Sequence, residues 1–139
     1  MSVQMVLLPV FLMVFLTIGL MFYMGRMRTR ALQSGTKIRD IALNEPNWPE
    51  DAAKASNCFN NQFQIPTLFY VLVALALPLR QMDLVMVLLS WVFVVSRFAH
   101  ATIFITSNHV PTRFSAYFAG VLVLMAMWIY FALRILLVI

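Results

Sequence analysis

Residues 3–24 read VQMVLLPVFLMVFLTIGLMFYM, a run with no charged side chain, interrupted only by Gln4, Thr17 and the small Gly19. A helix that crosses a bilayer needs about 20 mostly apolar residues, so this run suffices for one span. Residues 84–105 supply a second run, interrupted by Ser90, Ser96, Arg97, His100 and Thr102, and residues 114–139 a third, with Arg134 near its end. Residues 65–79 are marginal alone. Preceded by the amide-rich stretch 57–64, they make a further span with a polar entrance. The reading is a single all-α domain over 1–139, a polytopic membrane protein with a four-transmembrane-helix bundle. Its helices run over about 3–25, 57–79, 84–105 and 113–138, with a long loop over about 26–56. The runs are continuous rather than alternating, which argues against a β-barrel. No Lys or Arg precedes the first run and no small-residue cleavage site follows it, so it reads as a retained helix.

Composition agrees. The chain of 139 residues is 63% hydrophobic and 11% charged, with a mean hydropathy of +0.88. A soluble domain carries about 25% charged and about 45–50% apolar residues, so a soluble, disordered or nucleic-acid-binding chain is excluded. The basic pI, near 10.0, reflects Arg beside apolar runs rather than a basic face. The single cysteine, Cys58, makes neither an intramolecular disulfide nor a metal cluster.

Lys and Arg set the orientation. The first loop holds Arg26, Arg28, Arg30, Lys37, Arg39 and Lys54, and the third carries Arg113, against Arg80 and Arg134 on the other side. Both termini are expected away from the cytoplasm. The long loop reads as surface turns around Gly35, Asn44, Glu45, Pro46, Asn47 and Pro49. Trp48 has two readings, a place at the headgroup level or packing over the loop.

Ionisable groups inside a membrane are costly and mark functional sites by default. Arg97 and His100, three apart, share a face of their helix with Phe104. Asn57, Asn60 or Asn61, and Gln64 form an amide stripe opening the second span. Arg113 and Tyr117, four apart, open the last. Arg26, Arg28 and Arg30 close the first. Each helix thus brings polar groups to one membrane face, a cationic mouth suited to an anionic ligand because guanidinium binds carboxylates bidentately. The plainer readings stand beside this. Arg26, Arg28 and Arg30 suit topology and lipid phosphates, Arg97 with His100 suits an interhelical anchor for the amides, His109 is solvated, and Pro66 kinks its helix. No nucleophile–base pair, metal-ligand spacing or glycine-rich phosphate loop is present, and no carboxylate falls within an expected span. Activation of a bound exogenous thiol by Arg remains, since a nearby cation stabilises the thiolate.

Three stretches carry a resemblance that covers nearly the whole chain. They are Gly25-Arg26-Met27-Arg28-Thr29-Arg30, then Asn60-Asn61-Gln62-Phe63-Gln64-Ile65-Pro66-Thr67-Leu68-Phe69-Tyr70, then Ser96-Arg97-Phe98-Ala99-His100 with Pro111-Thr112-Arg113-Phe114-Ser115-Ala116-Tyr117. The chain resembles the membrane-associated eicosanoid and glutathione metabolism family (MAPEG), and within it the bacterial branch. The resemblance implies a homotrimer in a bacterial inner membrane, with glutathione as co-substrate bound between subunits near the cytoplasmic face. Arg113 matches the arginine that stabilises the glutathione thiolate. Arg97, His100 and Tyr117 match positions lining the tripeptide site, and Arg28 a basic contact from the first helix; Asn60, Asn61 and Gln64 supply the amides. The implied activity is glutathione-dependent transfer or peroxide reduction on lipophilic electrophiles. Three features depart from the pattern. One is the Arg-Ala-x-Arg-like lead into helix two, reduced here to Lys54-Ala55-Ser56-Asn57. The family's helix-two glutamate, which can hold the ammonium of glutathione, is replaced among Gln62, Phe63 and Gln64, and a site tyrosine is replaced by Phe104. The alternative they favour is a non-catalytic scaffold or accessory subunit of a larger membrane complex.

Overall fold

A computed structural model describes residues 2–42 and 47–137, and every regular element among them is helical. In chain order these are α1 (Val3–Gln33), α2 (Ile38–Ile41), α3 (Glu50–Asn61), α4 (Ile65–Ala76), α5 (Leu84–Ile105) and α6 (Val110–Leu136). Three of them, α1, α5 and α6, are long and apolar enough to cross a membrane. The chain is a membrane helical bundle.

The expected loop over 26–56 differs most from what is observed. Helix α1 continues to Gln33, a length of about 46 Å at 1.5 Å per residue. Arg, Ala, Leu and Gln are good helix formers, and Met27 and Ala31 are buried against Ala52 and Ala55. The helix stops where Gly35 takes a φ of 113°, so that the Thr36 amide donates to the Ala31 carbonyl at 3.1 Å, a left-handed helix ending that glycine tolerates best. Helix α3 occupies the end of the supposed loop. Its Ala52, Ala55, Ser56 and Cys58 are buried, a stripe of small residues at helical spacing along α1 and α5. Glu50 and Asp51 sit in its first turn, where carboxylates favour the helix dipole. The turn expected around Asn44, Glu45 and Pro46 falls outside the described residues, as does the expected helix end at 138.

The expected span 57–79 is two helices rather than one kinked helix. Pro66 has no amide to donate to residue 62, and its ring clashes with the carbonyl four residues back. Helix α3 therefore ends at Asn61, and α4 restarts with Pro66 in its first turn. At 12 residues, α4 is about 18 Å long, well short of a hydrocarbon core of about 30 Å. Helix α6 starts at Val110, three residues before expectation, with Pro111 in its first turn, a position where a missing amide costs nothing.

Helix α5 is the hub, packing on α1, α3 and α6, while α6 also packs on α4. Phe69, Leu72, Met86, Phe93, Val94 and Met127 form the main core with Met13 of α1. A smaller cluster of Leu20, Cys58, Ala101 and Phe104 lies toward the α3 end. The outer surface is apolar: Phe15 and Phe22 are each 70% exposed, as suits side chains facing lipid. Gly120 lets α6 approach closely, since a Cβ there would sit 3.0 Å from the Ser96 hydroxyl oxygen.

At the opposite end Asp83 joins α5 to α6. One carboxylate oxygen accepts from the Met86 amide at 3.0 Å, and the other accepts from Tyr130 and Arg134. Partial burial opposes its ionisation, but the Tyr130 hydroxyl, the Met86 amide and Arg134 outweigh it and hold the carboxyl below its ordinary value. The folded state thus binds this proton less readily than the unfolded one. Its stabilisation is complete above the ordinary carboxylate range and is lost as pH falls through the lowered folded value. Asp83→Ala is expected to cost about 1–2 kcal/mol as a lost helix cap, read from thermal unfolding in detergent at pH 7, with the deficit shrinking at acid pH. Gly120→Leu is expected to cost about 1–3 kcal/mol through overpacking; an unchanged unfolding midpoint would show that α6 has room to move away.

Candidate functional site

The break between α3 and α4 organises the polar groups. Gln62, 0% exposed, turns its side chain back so that Nε2 donates to the Cys58 carbonyl at 3.0 Å. The Phe63 and Gln64 amides donate to Asn60 and Asn61 at 3.1 and 3.3 Å. The end of α3 is thereby satisfied within the protein, while the buried Gln62 Oε1 itself has no partner among the described residues. Gln64 and Asn61 are left on the side that faces α5 and α6.

Helix α5 presents Arg97, His100 and Phe104 there, all buried. Helix α6 presents Arg113 and Tyr117, one turn apart. Asn108, in the left-handed region at φ 49°, accepts from Arg113 Nη1 at 2.6 Å. The Arg113 guanidinium lies 4.6 Å from the centre of the Phe104 ring, a cation–π contact. The His100 ring stands 5.8 Å from Tyr117 and 5.7 Å from Phe104. Together Asn61, Gln64, His100, Phe104, Val110, Arg113, Phe114 and Tyr117 line a cavity of about 250 Å³. A larger cavity of about 380 Å³ at the other end of the bundle has Arg80 as its one charged lining residue, beside Val3, Val6, Leu77 and Met82. The smaller cavity is the candidate site because polar groups from three elements converge on it.

Five residues singled out in the sequence therefore meet: Asn61, Gln64, His100, Arg113 and Tyr117. Three do not line the cavity. Asn60 is exposed, turned away from its neighbour Asn61 by the 100° step of a helix. Arg28 donates to the Ser56 hydroxyl at 3.0 Å and lies 5.1 Å over the Trp48 ring, so it fastens α1 to the middle of α3 and to the segment that leads into it. This also places Trp48, which packs beside Met27, Ala31, Ala52 and Ala55. Arg97 lies behind the cavity, 0% exposed. Its Nη2 reaches the Asn61 carbonyl at 3.5 Å, a long contact at the negative end of the α3 dipole. Its Nε and Nη1, and His100 Nδ1, are buried with no partner among the described residues. No carboxylate among the described residues forms an ion pair with Arg97. His109 is exposed, its ring Nδ1 2.8 Å from the Thr112 hydroxyl.

Asn108, Val110 and Phe114 were not legible as site residues. An asparagine five residues before an arginine matches no helical pair rule, and only the left-handed turn between α5 and α6 makes them partners. Among the described residues no group of His, Cys, Asp and Glu could hold a metal ion.

Residues 6–133 match the profile of the MAPEG family. The chain belongs to the MAPEG family. It is thus an integral membrane protein of a family concerned with eicosanoid and glutathione metabolism, whose members generally use glutathione and are typically trimers. No curated protein and no solved structure matches the chain.

Among the described residues Arg97 makes one long contact and leaves two donors without a partner, a poor structural anchor as placed. Removing an uncompensated buried charge in favour of an apolar chain of similar length is often neutral or stabilising. Arg97→Met is therefore expected to keep or raise the unfolding midpoint in detergent. A loss of several degrees would show that the cation holds the break together.

Proposed function

We propose that this MAPEG protein binds the thiol tripeptide glutathione at the α3–α4 break, α5 and α6, and uses it to conjugate or reduce lipophilic electrophiles that arrive from the bilayer. The observation that carries the reading is the setting of Arg113. Asn108 takes one of its donors, Phe104 backs its guanidinium, and the group lines a cavity with no acid in its described wall. An arginine offers five donors in all, so Arg113 keeps others for a ligand. A cation beside a thiol favours the thiolate, the nucleophilic form. Attack of that sulfur on an electrophilic carbon forms a thioether and leaves the electron pair on the electrophile or its leaving group. Attack on a peroxide oxygen instead breaks the O–O bond, releases the alcohol and leaves a sulfenic sulfur, which a second glutathione converts to the disulfide with loss of water.

In this reading Arg113 stabilises the thiolate, and Asn61, Gln64, His100 and Tyr117 hold the peptide. Arg97 adds positive potential from behind. Arg28 and Asn60, outside the cavity of one chain, serve the site only where a neighbouring subunit brings them to it. That arrangement suits the homotrimer typical of the family. The site faces the cytoplasm of a bacterial inner membrane, with both termini on the other side.

A second reading has its own support. Phe104 stands where the resemblance implies a tyrosine, and the amides stand where it implies a glutamate. A chain kept only as a scaffold or accessory subunit of a larger membrane complex would tolerate both changes.

Calorimetry with reduced glutathione on the purified protein in mild detergent, beside Arg113→Ala, separates the two. The proposal expects binding at millimolar concentration or better, weakened about ten- to a hundredfold in the variant, the usual effect of losing a charge-assisted hydrogen bond. No heat up to about 20 mM, where binding is worth only about 2 kcal/mol, rejects the thiol site and leaves the scaffold.

A further inference from the structure

The larger cavity, about 380 Å³, lies at the end of the bundle away from the polar site. Val6 and Met82 line it as buried residues, 1% and 6% exposed, and Val3 and Arg80 line it as exposed ones. Val3 opens α1. Arg80 follows α4 in a turn, its amide donating to the Leu77 carbonyl at 3.1 Å and its backbone in the left-handed region at φ 58°. Pro78, Leu79 and Leu84 nearby in the chain are exposed, as suits side chains meeting lipid. A guanidinium in such company sits at the headgroup level, its stem in apolar surroundings and its charge at the interface.

Topology does not account for this cation, because Lys and Arg that set orientation concentrate at the other end. Arg134, the second cation at this end, is taken by Asp83. The Arg80 side chain makes no hydrogen bond or ion pair among the described residues. A neighbouring subunit brings it no free side-chain acid either. Copies related by rotation about an axis across the membrane present the same end to the same face. Of the five acids, four fall between residues 40 and 51, in the stretch joining α1 to α3 at the opposite end. The fifth, Asp83, already accepts from Met86, Tyr130 and Arg134.

We propose that this cavity binds a phospholipid of the leaflet opposite the polar site. Its phosphate meets the Arg80 guanidinium, and the upper part of one acyl chain lies against Val3, Val6, Leu77 and Met82. Guanidinium donors match phosphate oxygens in pairs. In a bilayer the chain gains packing rather than escape from water, so the phosphate supplies most of the affinity and the cavity shape the rest.

The test follows the unfolding midpoint of the full chain in lipid-free detergent, since a ligand of the folded state raises it. Three probes are added in turn: dioleoyl phosphatidylglycerol, dioleoylglycerol, which has the chains without the phosphate, and glycerol 3-phosphate, which has the phosphate without the chains. Wild type is compared with Arg80→Asn, Val3→Trp and Arg26→Gln. Asparagine tolerates the left-handed backbone, and Val3 is 53% exposed, so a tryptophan there fills the mouth without displacing the core.

Phosphatidylglycerol alone raises the midpoint of wild type and of Arg26→Gln. Arg80→Asn needs about tenfold more of it or fails to respond, the usual effect of losing a charge-assisted hydrogen bond, and Val3→Trp does the same with Arg80 in place. An equal response to dioleoylglycerol removes the phosphate from the proposal and overturns it. An equal response to glycerol 3-phosphate removes the chain and does so too. Equal weakening by Arg26→Gln shows general attraction to anionic lipid and overturns the site. A wild type that does not respond, the result expected where a second copy covers the cavity, overturns it as well.

Discussion

A proline cannot continue the hydrogen-bond ladder of a helix, and in this chain that constraint falls within the second apolar stretch. Pro66 stops α3 from running into α4, and the three residues before α4 leave the helical path. Backbone groups freed in a membrane protein have no water to turn to. Here they are met by the Gln62 side chain, by short turns through Phe63 and Gln64, and distantly by Arg97. The break is what turns Asn61 and Gln64 toward α5 and α6. With an unbroken helix from 57 to 79 the amide stripe would lie along one continuous face, and no corner would exist for a cavity to form in.

Where helices meet, the two ends of the bundle treat charge in opposite ways. At one end Asp83 is saturated, with a backbone amide, a hydroxyl and a guanidinium all donating to it. This closes α5 on α6 and satisfies Arg134 near the end of an apolar helix. At the other, Arg97 is fully buried with two donors unmet, and Arg113 finds an amide and a ring rather than a carboxylate. A fold that stabilises one end by pairing and leaves positive charge uncompensated at the other has an end built for structure and an end suited to anions. Real proteins depart from local optimisation mostly at functional sites, and the departure here coincides with the cavity.

Physical reasons also separate the parts of the site that were readable from those that were not. Arg97, His100, Arg113 and Tyr117 stood out because a charged or imidazole group in or beside an apolar run is expensive and helical spacing says which ones share a face. Arg28 stood out for the same reason, yet it is used to hold Ser56 and Trp48, since its helix outruns the membrane and finds α3 as a partner. Helix α3 itself was hidden because its buried residues are small: Ala52, Ala55, Ser56 and Cys58 carry little hydropathy while packing well.

What the sequence by itself determined is the class of the protein: continuous apolar runs can only be membrane helices, and their polar interruptions mark the costly positions. Its motifs also led to the right family. What only the tertiary structure decided is the use of each polar residue. Asn60 and Asn61 are chemically identical neighbours, and one lies exposed on the surface of the chain while the other lines the cavity. Arg97 and Arg113 carry the same group, and one is sealed behind the wall while the other forms part of it. Residue type sets what a side chain can do, but its direction depends on where helices end and how they cross. Those ends and crossings arise from contacts between segments far apart in the chain.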